Sequence, residues 1–222
     1  MLREKDNMEQ IKVLGERYIG CGASDRDILL EGTPGNALGA YLDGAHITLY
    51  GNAQDATGDT MNAGKIAIHG STGDAAGYAM RGGSIFVRDS AGYRAGIHMK
   101  QYKEKTPLIV IGTQAGSFLG EYLAGGTIVV LGIGCEDSCI VGNFCGTGMH
   151  GGSIYLRTMH LPPDIPKQVT CEKVTRITPE LDFAVREYCR IFGTDAEKLL
   201  SDEWYVFTPN TKNPYKQLYI YN

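Results

Sequence analysis

Cys135, Cys139 and Cys145 stand close together in the stretch CEDSCIVGNFC, and thiolates grouped in this way could ligate zinc or an iron–sulfur cluster. Three ligands leave a tetrahedral site open, so a fourth would have to come from Cys171, Cys189, a histidine or a partner chain. The spacing matches no standard metal signature, and ordinary loop thiols are the simpler reading. Cys21 stands apart and reads as small packing. A GxGxxG match runs from Gly146 to Gly151. In a dinucleotide fold that loop opens a helix, whereas here it leads into GSIYLR, an alternating strand. No Walker lysine motif occurs.

The other candidates for chemistry fall at unrelated places of a repeat. Glycines stand at Gly20, Gly39, Gly58, Gly77 and Gly96, each 19 residues after the last. With each repeat glycine taken as position 0, His46 lies at position 7, His69 at 11, His98 at 2 and His150 at 4, so no two share a row. Solvated or singly hydrogen-bonded histidines fit this better than ligands or bases. Asp55 and Asp74 do share a row, and like charges one strand apart suggest a hydrated turn rather than an acid–base dyad. Arg81, Arg88, Arg94 and Asp89 read as solvated ions or partner contacts.

What must position these residues is the repeat itself. At position 8 stand Ile28, Ile47, Ile66 and Ile85, and at position 10 Leu30, Leu49, Ile68 and Val87. Each coil therefore carries a short strand with alternate residues inward. At position 3 a second apolar row runs through Leu42, Met61, Met80 and Met99. Five extra residues bring the series to Gly120, with Leu123, Ile128 and Val130 in phase, and seven more to Gly146, with Met149, Ile154 and Leu156. The insertions, at 97–107 and 133–145, are expected to be loops leaving one face, where a partner could bind.

Seven such units stacked at the strand spacing make a rod roughly 34 Å long. The fold expected is all-β, a right-handed parallel β-helix over 18–157, with glycines allowing positive φ or close backbone approach at the corners. Residues 1–17 are expected as an N-terminal arm or cap. Residues 158–222 are expected as a C-terminal cap, because open rod ends expose strand edges. In that cap Thr178 and Pro179 begin a helix with Leu181, Ala184, Val185, Tyr188 and Phe192 on one stripe, ending before Gly193. Thr194 and Glu197 suggest a capping box for a second helix. The aromatic tail from Asp202 could cover the rod or reach a partner.

A chain of 222 residues, 43% hydrophobic, can bury a real core. Its net charge of -4 offers no field for nucleic acid or an anionic membrane. No apolar segment is long enough to span a bilayer and the N-terminus lacks a signal-peptide pattern, so a cytoplasmic location with reduced thiols is expected.

Further glycines recur four residues before the repeat glycine, at Gly35, Gly73, Gly92, Gly116 and Gly142, and before the strands. With the blocks GSFLGEYLAGGTIVVLG and GNFCGTGMHGGSIYLR, this pattern resembles the GxGxG domain of the glutamate synthase large subunit, its C-terminal β-helix. The same domain is found in one of the subunits of formylmethanofuran dehydrogenase. The resemblance implies a right-handed β-helix with no catalytic residue. It implies a structural subunit of a split glutamate synthase, holding an amidotransferase-type subunit and a synthase-type subunit that carries FMN and an iron–sulfur cluster. It also implies that the cluster cysteines lie in that flavin subunit and that Cys145 fills a small-residue position. A subunit of formylmethanofuran dehydrogenase or of N-methylglutamate synthase remains an alternative. A left-handed β-helix acyltransferase needs aliphatic residues every six positions, and the rows here fall at 3, 8 and 10.

Overall fold

The computed structural model describes residues 11–210. Eight strands in this span pair in parallel and in sequence order: β1 (Ile11–Leu14), β2 (Asp27–Thr33), β3 (Asp43–Tyr50), β4 (Ala63–Ile68), β5 (Ser84–Val87), β6 (Leu108–Ile111), β7 (Ala124–Val130) and β8 (Gly151–Arg157). The register joins Ile28, Ile47, Ile66, Ile85, Ile109, Ile128 and Ile154 in one unbroken row. Both insertions are thus absorbed without moving an inward residue to the outside, as burial of one strand face demands. The result is a parallel β-helix. Its interior is the position-10 row together with Leu42, Met61, Met80, Met99, Leu123 and Met149, all fully buried.

The insertions leave the rod at opposite ends of the strand rather than from one face. The first lies before β6, where Tyr102 and Lys105 close a small antiparallel bridge, and the second lies after β7, before Val141 rejoins the row of Ala53, Thr72, Ala91 and Ala115. Each enters where the coil already turns, so neither interrupts a ladder. The sheet also begins earlier than residue 18. Ile11 pairs with Leu30 and Leu14 with Thr33, which puts part of the expected 1–17 arm into the first coil. Residues 1–10 of that arm, and 211–222 of the tail, lie outside the described residues.

At the other end, β9 (Val169–Lys173) and β10 (Trp204–Pro209) close the sheet. β10 runs antiparallel to β8 and β9 antiparallel to β10. The reversed direction stops the parallel stacking; Phe207 joins the rod's interior cluster, while Trp204, on the other face, packs under the helices with Nε1 donating to the Leu199 carbonyl at 3.0 Å. This part of the aromatic tail covers the end of the rod, satisfying the edge of β8.

Helix α1 (Pro179–Phe192) starts where the sequence predicts, with Thr178 Oγ1 accepting from the Leu181 amide at 3.3 Å, and ends at Gly193 in the left-handed region. Helix α2 (Ala196–Ser201) is capped by Asp195, not Thr194; its carboxylate accepts from the amides of Glu197 and Lys198. A carboxylate held at two amides beside a helix N-terminus is the stronger cap. The helices pack on the outside of β5–β8. There the outward row at position 9, Leu29, Thr48 and Ala67 in β2–β4, becomes Phe86, Val110, Val129 and Tyr155, which pack against the helices. Tyr188 secures the contact by donating to the Arg88 carbonyl at 2.8 Å.

The corner opposite is built from alternating left-handed residues. Positions -2, 0 and +2 all have positive φ, as at Ala75, Gly77 and Ala79. The N–H groups at -2 and +2 donate forward to the next coil (Ala75 to Tyr93, Ala79 to Ile97), and that of the repeat glycine donates back (Gly77 to Thr57). The turn thereby satisfies its backbone without being a strand. Left-handed φ alone does not demand glycine at the centre, because Ala37, Ala56 and Ala75 hold it in the neighbouring row. Space does: a Cβ on Gly77 would lie 2.5 Å from Cδ1 of Ile109, in the next coil.

Gly22 has the same φ but nothing within 4 Å of a Cβ, and so separates the two effects. Gly22→Ala should cost about 1–2 kcal/mol, from backbone strain alone. Gly77→Ala should cost about 2–5 kcal/mol, from strain plus overpacking. Ile109→Val, which removes Cδ1, should recover part of the Gly77→Ala loss when both changes are measured together by chemical unfolding. Equal costs for the two alanine variants would contradict the steric origin.

Candidate functional site

The cysteines of the second insertion take up different settings. Cys145 sits at position -1, on the inward side of its corner, and is buried. Burial pushes its thiol well up, with further contributions from Cys139, Asp164 and Cys171 nearby. Cys139 donates from Sγ to the Val141 carbonyl at 3.2 Å, and Cys135 lies in the turn closed by Ser138. Both are half-buried against the core. Among the described residues no three His, Cys, Asp or Glu side chains are grouped so as to hold a metal ion.

The histidines are separate, each with its own neighbour. His46 Nδ1 is 3.3 Å from Asp27, His69 stacks on Tyr50 at 4.4 Å, and His98 stacks on Tyr122 at 5.0 Å. His150 Nδ1 lies 3.2 Å from the Gly148 carbonyl. Burial, and then the positive charge of Arg88, lower the His69 pKa. The Asp55/Asp74 row has a backbone role: Asp55 Oδ1 accepts from the Asp74 amide at 2.9 Å, and Asp74 Oδ1 from the Tyr93 amide at 2.8 Å. Each carboxylate caps the coil that follows. Arg88 pairs with Asp89, and Arg94 with Glu121. The GxGxxG glycines run into β8 with no helix behind them, so they cannot present a helix N-terminus to a pyrophosphate.

A groove of about 410 Å³ lies over β2–β4, beside the end of α1. Sequence reasoning did not find it, because it forms only where α1 stops short of the first strands. Its cations are already committed. Glu187 takes Lys65 on one side and Arg190 on the other, with 2.7 Å from Arg190 Nε to Oε2. The hydrogen bond from Arg190 first, then that from Lys65, hold the Glu187 carboxyl down at about 2. An anion entering the groove would have to displace that carboxylate, so the cluster works as a clasp between helix and sheet.

The class these elements define is a parallel β-helix closed by a C-terminal helical cap. The model of the GXGXG motif family matches residues 10–213. The chain belongs to this family, that of the C-terminal domain of the glutamate synthase large subunit. It is also similar to the uncharacterized protein MJ1350 of Methanocaldococcus jannaschii, with 42% identity over 236 aligned residues, covering 99% of this chain and 88% of the relative. The matched span includes β9, β10 and both helices. Among the described residues no helix is long and apolar enough to cross a membrane.

Two outcomes follow. Under native conditions at neutral pH, exposed Cys21 should react with a thiol reagent while Cys145 reacts only after unfolding; equal rates would contradict its burial. The Glu187 clasp should contribute fully above the ordinary glutamate value of 4.5 and be lost as the pH falls toward about 2. Glu187→Gln should therefore lower stability at neutral pH and flatten this acid limb of the unfolding profile, and an unchanged limb would count against the clasp.

Proposed function

We propose that the chain is a non-catalytic structural subunit of a glutamate synthase-type assembly. It holds an amidotransferase-type subunit, which releases ammonia from glutamine, beside a synthase-type subunit that carries FMN and an iron–sulfur cluster and uses that ammonia on 2-oxoglutarate. The observation that supports this best is family membership over residues 10–213, nearly the whole described rod and cap. The chemistry of the rod agrees with it. Its carboxylates cap backbone amides, its most buried thiol is pushed up, and its groove cations are held by Glu187.

A rigid rod suits this role physically. Each coil rests on its neighbours through ladders of like apolar side chains, so the two ends hold a constant separation and two bound subunits keep a defined geometry. Flavin and cluster belong to the partner in this reading, and none of the cysteines here is assigned to them.

Reconstitution tests it. Co-expressed with the amidotransferase-type and FMN synthase-type subunits of its source cell, the chain should join both, and glutamate formation from glutamine and 2-oxoglutarate should require all three. The chain alone should neither hydrolyse glutamine nor carry flavin. Partners that couple equally well in its absence would overturn the proposal. A pterin cofactor in the partner, in place of flavin, would move the assignment to the formylmethanofuran dehydrogenase side of the family.

A further inference from the structure

The left-handed corners form one side of the rod, away from the sheet face that α1 and α2 cover. Five of the eight exposed tyrosines and phenylalanines among the described residues lie on this side: Tyr18, Tyr41, Tyr78, Tyr93 and Phe144, between 41 and 63% exposed. Part of this display is accounted for by stacking. Phe118 lies against Phe144 at 5.0 Å, and Tyr78 meets the edge of His98 at 6.0 Å. Among the described residues Tyr18 and Tyr41 have no such ring contact, and both hold left-handed φ. Bulk at position 41 is not a demand of the coil, since the same row holds Gly22, Thr60, Ala79 and Gly148. Exposed tyrosines in a preformed setting are the composition of binding hot spots.

The charge of this side says what would meet it. The corner segments 36–43, 55–62 and 74–81 carry Asp43, Asp55, Asp59 and Asp74 against one cation, Arg81, and Asp43 has Lys105 Nζ 3.6 Å away. Asp55 and Asp74 each commit one oxygen to the backbone of the next coil. Within the same side Arg94 shows how a cation uses such a surface: its guanidinium lies 4.8 Å over the Phe118 ring while Nε donates to Glu121 at 2.9 Å. A second copy of the chain would set aspartate against aspartate, which is repulsive. We propose that this corner side is the docking surface for a partner protein that brings arginine or lysine side chains onto the rings of Tyr41, Tyr78 and Tyr93, with Asp55 and Asp74 as counter-charges. The inference rests on the scaffold reading, in which that partner is one of the two subunits named above.

The rows themselves supply substitutions the fold already uses: Thr60 for Tyr41, Thr147 for Tyr78, Ser117 for Tyr93, and Asn36 for Asp55 and Asp74. The full chain carrying Tyr41→Thr, Tyr78→Thr and Tyr93→Ser should keep its melting temperature. Its affinity for the partner subunit, measured against the purified subunit, should fall by roughly tenfold or more. Asp55→Asn with Asp74→Asn should slow association and weaken its salt dependence. His46→Ala, on the sheet face, should bind as the unmodified chain does. Unchanged affinity in the triple variant, with the unmodified chain binding normally, would overturn the docking surface alone. Failure of the unmodified chain to bind either subunit would overturn the scaffold reading instead. A dimer of the isolated chain that the triple variant dissolves would replace the basic partner with a second copy.

Discussion

The contact between the repeat glycines from Gly20 to Gly120 and the isoleucine of the following coil governs the rest of the structure. Cβ atoms built at Gly39, Gly58, Gly77, Gly96 and Gly120 would lie 2.4–2.6 Å from an isoleucine Cδ1, so the corner closes only where the side chain is hydrogen. That closeness lets the corner approach the strand across a core one side chain thick. It also sets the pitch: a coil that slipped by one residue would move an isoleucine outward and a Cβ inward together. Strand register and corner geometry are therefore one constraint, and this is why two insertions change the loops but leave the ladders in line.

Most of the coil pattern was legible from residue types because every inward position meets its own equivalent above and below. The first coil escaped for a definite reason. Its glycine would fall at position 1, which is methionine, so a search anchored on glycines starts at Gly20 although Ile11 continues the inward row. The place of the helical cap was present in a row outside the core rows. After Leu29, position 9 changes from Thr48 and Ala67 to an unbroken apolar run, Phe86, Val110, Val129 and Tyr155, on the strands that the helices cover. The Lys65–Glu187–Arg190 clasp joins residues 122 apart and has no local signature.

The residues that looked most chemical in the sequence became the most structural in the fold. A nucleotide-like glycine motif is a corner followed by a strand, an aspartate pair caps successive amides, and the thiols of CEDSCIVGNFC pack beside the last coils. In each case the repeat requires a small, turning or amide-accepting residue at that position. The same regularity makes departures informative. Where a row tolerates glycine, alanine or threonine and one coil places an exposed tyrosine instead, packing does not supply the reason. Such departures lie on the outside of the rod.

The central claim is that the chain serves as the structural subunit of an assembly. Isolation of the chain from its source cell under native conditions, followed by identification of every protein and cofactor that travels with it, tests this most directly. The account predicts an amidotransferase-type subunit and a flavoprotein carrying FMN and an iron–sulfur cluster in fixed proportion to the chain. A chain that migrates alone, or only with copies of itself, would contradict it.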